Sequence, residues 1–279
     1  MLADATVRTL GRAVSALRTT TDVPKGTRIK CGVDLGTASV IVVALNPENR
    51  PVACEMELAE VARDGLVVDY HGAITIVKRL TAHLRERLGD VKLDSAAIAV
   101  PPGTSPANSA THRHVVEAAD LEVSAVLDEP TAANAVLGVV NGAVVDIGGG
   151  TTGLSVFRDS QVVYVADEPT GGTHMSLVLM GRLGIDFKAA EKLKLNPAKA
   201  AEVTEIVLPV AEKMATIVAN HLQGAGVDQI WLVGGAAGLR GIEDVFSDRL
   251  GIPTFKPPHP MMVTPLGIAM SAPIEKGQS

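Results

Sequence analysis

The sequence predicts an α/β fold made of two duplicated domains, each a mixed sheet flanked by helices. Three observations carry that prediction. Short apolar runs rich in β-branched residues (Ala96–Val100, Ala143–Ile147, Ile230–Val233) are bounded by Gly or Pro, like the buried central strands of a sheet. A strand ending in Asp, a Gly/Thr turn and a second alternating strand occur twice, at Ile29–Leu45 and at Ala143–Phe157. Stretches with a helical period lie between the copies.

In chain order, residues 1–28 form an N-terminal amphipathic helix and linker. Val7, Leu10, Val14 and Leu17 make a narrow apolar stripe, with Arg8, Arg12 and Arg18 off it. Pro24 and Gly26 break the linker that follows. Two readings of this helix stand side by side: it packs on its own domain or frays in solution, or it docks on a partner. The first domain takes residues 29–141 and returns with 262–275; the second takes 142–261. In the first, Thr75–Leu88 and Ala107–Ala119 read as helices, and Asp128–Val139 opens another with Pro130 in its first turn. In the second, Gly171–Leu183 and Glu202–Gln223 read as helices, and Ile230–Phe246 as a strand, a glycine turn and a helix.

Composition narrows the function classes. Hydrophobic residues are 47% and aromatics 3%, so the core is built of Val, Leu, Ile and Ala. A net charge of −6 predicts no nucleic-acid partner. No apolar run reaches the roughly 18 residues of a membrane span, so no integral membrane contact is expected. The N-terminus lacks the apolar core of a secretory signal. Cys31 and Cys54 form no CxxC pair, which fits a reduced, cytosolic protein with two free thiols. His112 and His114 sit two apart in a helix and cannot share a face, so they read as a solvated surface rather than a metal site.

The chemistry concentrates in the glycine turns. Backbone amides approach a phosphate closely only where no Cβ intervenes, and threonine hydroxyls add donors. A carboxylate at the end of the adjoining strand can hold magnesium, usually through water. Taken singly, Asp146 with Gly148, Gly149, Gly150, Thr151 and Thr152 is either a phosphate turn or a tight hairpin. Its counterpart, Asp34 with Gly36, Thr37 and Ala38, shifts the balance, because two such turns could clasp a polyphosphate. A third segment, Leu232–Gly241, carries Gly234, Gly235 and Ala236 between a strand and a helix. It lacks the GxGxxG and GxxxxGK[ST] patterns, so it reads either as a seat for a base or ribose or as close strand–helix packing.

These pieces together resemble the actin-like ATPase superfamily (ribonuclease H-like fold), which includes actin, heat-shock chaperone ATPase domains and bacterial cell-shape and division ATPases. Val33–Ser39 and Val145–Gly153 look like its two phosphate motifs, and Leu232–Ile242 like its adenosine motif. Val126–Val136 and Thr264–Ala272 are similar to its connecting motifs. Asp167–Leu177, the short length and the lack of a substrate-binding domain resemble more closely the chaperone-like ethanolamine-utilisation family of bacteria. That resemblance implies ATP or ADP with Mg²⁺ held between two domains. Asp34 and Asp146 would position the metal, Glu129 would orient the attacking water, and Gly171 and Gly172 would border the nucleotide. Glu191 and Lys194 would lie near the adenosine. It further implies ethanolamine ammonia-lyase or another microcompartment enzyme as client, a cytoplasmic, microcompartment-associated setting and, by analogy, a microcompartment shell as a second surface on which the N-terminal helix could dock.

The pattern departs from the superfamily in three places. Gly153 stands where an acid is usual in the second phosphate motif, which predicts binding of nucleotide more firmly than its hydrolysis. Ala38 stands where many chaperones carry a threonine. The segments after Asp34 and after Lys194 are too short for large accessory subdomains. Two other functions stay open within the same fold: a small-molecule kinase, and a filament-forming or scaffolding protein.

Overall fold

The computed structural model describes residues 2–63 and 66–273. Residues 274 and 275, assigned above to the first domain, lie outside them. The chain divides into two units, Met1–Gly138 with Met262–Ser279, and Val139–Met261. The first contains α1 (Asp4–Ser15), β1 (Lys30–Leu35), β2 (Ser39–Leu45), β3 (Pro51–Leu58), β4 (Ala62–Arg63), β5 (Leu66–Val67), α2 (Tyr70–Leu88), β6 (Ser95–Val100), α3 (Pro106–Glu117), β7 (Glu122–Asp128) and α4 (Glu129–Leu137). The second contains β8 (Gly142–Ile147), β9 (Thr152–Arg158), β10 (Gln161–Glu168), α5 (Gly172–Leu183), α6 (Phe187–Lys194), α7 (Ala200–Leu222), β11 (Ile230–Val233), α8 (Ile242–Leu250) and β12 (Thr254–Phe255). The chain then returns to the first unit as α9 (Val263–Ser271).

The duplication is written in the sheets. The first runs β3-β2-β1-β6-β7 and the second β10-β9-β8-β11-β12. In each, the leading strand pairs antiparallel with its hairpin partner and parallel with the strand on its other side. Asp34 and Asp146 therefore hold equivalent places, opposite Ile41 and Gly153 respectively.

In the first unit one sheet face buries Val33, Val42 and Ile98 against Val77 and Leu84 of α2 and Val116 of α3. The other face is lined with small residues, Ala97 and Ala99, under Ala132 of α4 and Ile268 of α9. Close packing there depends on Gly267. A Cβ at that position would lie 1.8 Å from the Ala132 carbonyl oxygen, so any side chain would force α4 and α9 apart. In the second unit Val145, Leu154 and Leu232 pack on Leu179 of α5, Met214 of α7 and Phe246 of α8.

α1 rests on the first unit. Leu10, Ala13 and Ala16 are buried, whereas Val7 is 40% exposed. The inner face is thus rotated from the predicted stripe, because the two alanines allow a close approach that Val7 and Val14 do not. Arg87 fastens the end of the helix: its guanidinium donates to the carbonyls of Ala16 (2.8 Å), Thr19 (2.7 Å) and Cys54 (2.8 Å) and pairs with Glu55 at 2.6 Å.

Two sequence readings on side chains have different outcomes. Cys31 and Cys54 are buried free thiols, and burial pushes both up to about 12. The reading of His112 as solvated is corrected: it is 2% exposed, while His114 is exposed. The helical turn aims His112 inward, and its Nδ1 meets the Asn108 carbonyl at 3.0 Å, which satisfies the ring without solvent.

Candidate nucleotide site

In the second unit, four segments far apart in sequence meet around the β8–β9 turn. Asp146 ends β8 on the face opposite the apolar core: Val145 and Ile147 point into the core, and the two-residue alternation sends Asp146 the other way. The turn that follows is closed by the Gly148 amide, which donates to the Thr151 carbonyl at 3.0 Å. The turn's own carbonyls then receive the start of α5. The Gly172 amide donates to Gly148 O at 2.9 Å, and the Thr173 amide to Gly149 O at 2.8 Å. A Cβ on Gly171 would stand 2.6 Å from Gly149 O and 2.8 Å from Gly148 O, so only glycine fits between the two segments.

The glycine pair after β11 closes the other side. Gly234 has φ +90, and a Cβ there would stand 2.2 Å from Asp146 Oδ1. Its amide donates to Pro260 O at 3.1 Å. The turn after Val233 is therefore pressed against the carboxylate end of β8, in reach of the same glycine turn that α5 contacts. Gly235 is exposed, and a Cβ there would meet nothing within 4 Å. Ala236 lies beside α5, its Cβ 3.2 Å from where one on Gly172 would be.

A polar cluster backs the cradle. Lys194, at the end of α6, donates to Glu191 Oε1 (2.7 Å), Ser176 Oγ (2.8 Å) and Gly172 O (3.0 Å). Ser176 also hydrogen-bonds Glu191. Ser176 is fully buried and stands one helical turn after Gly172, so its hydroxyl ties the entry of α5 to α6. Lys194 Nζ would lie 3.3 Å from a Cβ on Gly172. The lysine meets the cradle at Gly172 through its ammonium, which is engaged by three acceptors there.

The threonines divide the work. Thr151 and Thr152 are both buried. Thr152 Oγ1 donates to Thr170 O at 2.7 Å, so its hydroxyl braces the connection between β10 and α5. Gly150 is buried within the turn.

The remaining predicted residues lie in the first unit. Asp34 is half-buried near the end of β1, and Gly36 and Thr37 form the turn after it, with Ala38 exposed. A Cβ on Gly36 would stand 3.0 Å from Ser39 O. Glu129 opens α4, and the cap of that helix is its neighbour: Asp128 Oδ1 accepts from the Thr131 amide at 2.9 Å. Glu129, the first residue of the helix, is half-buried.

Two residues of the stretch Asp167–Leu177 received no role from the sequence. A lone serine inside an apolar helix does not by itself mark Ser176 as a network member. Asp167 stands opposite Gly153 in the next strand, and only the pairing register places it there.

The donor set fits a magnesium nucleotide better than a bare metal. Among the described residues no three His, Cys, Asp or Glu side chains group as metal ligands. A magnesium ion would therefore draw its ligands mainly from phosphate and water, with a carboxylate such as Asp146 alongside. The glycines supply the close approach a phosphate chain needs.

Residues 112–263 match the family model described as type IV pilus assembly protein PilM. The ethanolamine utilization protein EutJ of Salmonella typhimurium is 43% identical over 258 residues, covering 92% of this chain and 90% of that protein. The crystal structure of ethanolamine utilization protein EutJ from Carboxydothermus hydrogenoformans superposes with a TM-score of 0.89 at 42% identity, over 95% of this chain and 98% of that one. The chaperone protein DnaK of Thermus thermophilus is 24% identical over 265 residues, covering 73% of this chain and 43% of DnaK.

Proposed function

The chain belongs to the family of the ethanolamine utilization protein EutJ, matches the model of type IV pilus assembly protein PilM over residues 112–263, and has the actin-like ATPase fold; from this premise we propose that it is a nucleotide-binding, chaperone-like or reactivating accessory protein of bacterial ethanolamine utilisation. The observation that carries the reading is the cradle around Asp146. Gly171 and Gly234 come from segments distant in sequence, and each stands where a Cβ would overlap backbone or carboxylate oxygen. Such obligatory glycines let main-chain groups line a phosphate chain. The likeness to DnaK covers less than half of that chaperone and supports a nucleotide-responsive part acting on a separate client.

In this reading Asp146 would help hold a magnesium ion, which would supply neutralising charge to the phosphates. Thr151 would border those phosphates. Lys194 and Glu191 hold α6 against α5 beneath the nucleoside. Gly153 contributes no carboxylate, so hydrolysis is slow compared with binding. The client is a microcompartment enzyme, with ethanolamine ammonia-lyase first among candidates, and the setting is the bacterial cytoplasm. Among the described residues no helix is long and apolar enough to cross a membrane.

Calorimetric titration with magnesium ATP and magnesium ADP tests the nucleotide part, and saturable heats are expected with both. Absence of binding to either at millimolar nucleotide would overturn it. Affinity capture of the full chain from cells grown on ethanolamine tests the client part, with lyase subunits expected in the eluate and their repeated absence counting against it.

A further inference from the structure

On the first unit, away from the residues discussed above, a groove of about 610 Å³ opens between α1, the β2–β3 turn, α4 and α9. Arg8 and Arg12 reach it from one face of α1, four residues apart, and Arg50 reaches it from the turn. Among the described residues none of the three has an ion-pair or hydrogen-bond partner for its guanidinium. One acid, Glu48, shares the lining. Lys30 adds a fourth cation behind it: its ammonium donates to Asn49 Oδ1 at 2.8 Å and to the Met270 carbonyl, both neutral acceptors on lining residues.

The turn that carries Arg50 is built rather than loose. Asn46 Oδ1 accepts from the amides of Glu48 (3.1 Å) and Arg50 (2.9 Å), and Asn49 sits at φ +60 to close it. The groove floor is apolar, formed by Val136 and Met270. A chain whose net charge is −6 thus gathers unpaired cations around an apolar floor at one place.

We propose that this groove is a docking site for an acidic peptide segment of a partner protein, one that carries several carboxylates beside apolar side chains. Charge complementarity selects the sign of the ligand, and the apolar floor selects a peptide over a bare anion. Each exposed guanidinium contributes little by itself, so a monovalent anion is held weakly while a polyvalent segment engages several cations at once. The proposal is independent of the nucleotide reading.

The test uses the full chain without nucleotide and a fluorescein-labelled synthetic peptide of paired Glu and Leu residues. Saturable binding is expected, weakening as salt rises. The triple variant Arg8→Glu, Arg12→Glu, Arg50→Glu is expected to weaken it roughly tenfold or more, the sum of three modest surface pairs. Its melting temperature should stay near that of the parent, because all three side chains are exposed; if the triple variant does not fold, Arg12→Glu alone is read instead, with a several-fold loss expected. Equal binding by the reversed variant, or by a Gln–Leu peptide, would overturn the proposal. Complete displacement of the peptide by millimolar inorganic phosphate would overturn it too, pointing to a small-anion site.

Discussion

Gly153 stands directly opposite Asp167 in the β9–β10 ladder, and on its other side it is paired with Asp146 of β8. Cross-strand partners share a face, so the two acids flank a position that has no side chain. Placing an acid there would set three carboxylates in one row of the sheet. Gly153→Asp is therefore expected to be less stable than Gly153→Asn, the uncharged isostere, by roughly 1 kcal/mol in urea denaturation. The gap should narrow in high salt, which screens charge. Equal stabilities of the two variants would show that the row does not act through charge.

The contact between Gly234 and Asp146 gives a second prediction. Gly234→Ala places a methyl within 2.2 Å of the carboxylate at φ +90, whereas Gly235→Ala meets nothing within 4 Å. The left-handed backbone alone costs an alanine roughly 1–2 kcal/mol, and displacing Asp146 adds to it. Gly234→Ala is expected to lose at least 2 kcal/mol (an estimate of order, from strain plus overlap) and to bind magnesium nucleotide detectably worse. Gly235→Ala should stay within about 0.5 kcal/mol of the parent. Chemical denaturation and calorimetry on the pair check both statements.

The sequence made some of this arrangement legible and concealed the rest. The hairpins around Asp34 and Asp146 could be read because a strand, a glycine turn and a strand lie next to one another in the chain. The extent of the second sheet could not. β10 is an edge strand whose Val162, Val163, Tyr164 and Val165 are all exposed, so it lacks the alternation that marks a half-buried strand. The convergence of Gly171, Gly234 and Lys194 is a product of parallel crossovers; no local pattern encodes it, and only the family resemblance pointed to it. His112 was misread because period alone does not say which face of a short helix is covered. The rotated stripe of α1 has a similar origin: alanine counts little in a hydropathy pattern, yet Ala13 and Ala16 set the depth at which the helix seats.

The Lys194–Glu191–Ser176 cluster predicts coupling. Lys194 is 15% exposed and Glu191 28%, so their pair is shielded from water more than a surface bridge is. Removing either partner strands the other beside a buried serine. Lys194→Met and Glu191→Gln are each expected to destabilise by about 1–2 kcal/mol. The double variant should cost less than the sum by roughly 0.5 kcal/mol or more, as groups in one network do. Strict additivity in a double-mutant cycle would mean that the three side chains act separately and would remove their role in joining α5 to α6.

His112 predicts an acid-side loss of stability. Burial pushes its imidazolium down from the ordinary histidine value, with the Asn108 carbonyl opposing in part. In the unfolded chain the ring takes up its proton at about pH 6.5. Below that value the unfolded state binds a proton that the folded state refuses, so stability falls as pH drops and the fall is complete once His112 charges in the folded chain. Above it the ring is neutral in both states and contributes no slope. His112→Gln keeps a polar side chain in the same turn without a titrating group. Its unfolding free energy is expected to decline less steeply than the parent's as pH falls below about 6.5. Urea denaturation of both proteins at a series of pH values checks this, and parallel curves would show that His112 does not carry the acid sensitivity.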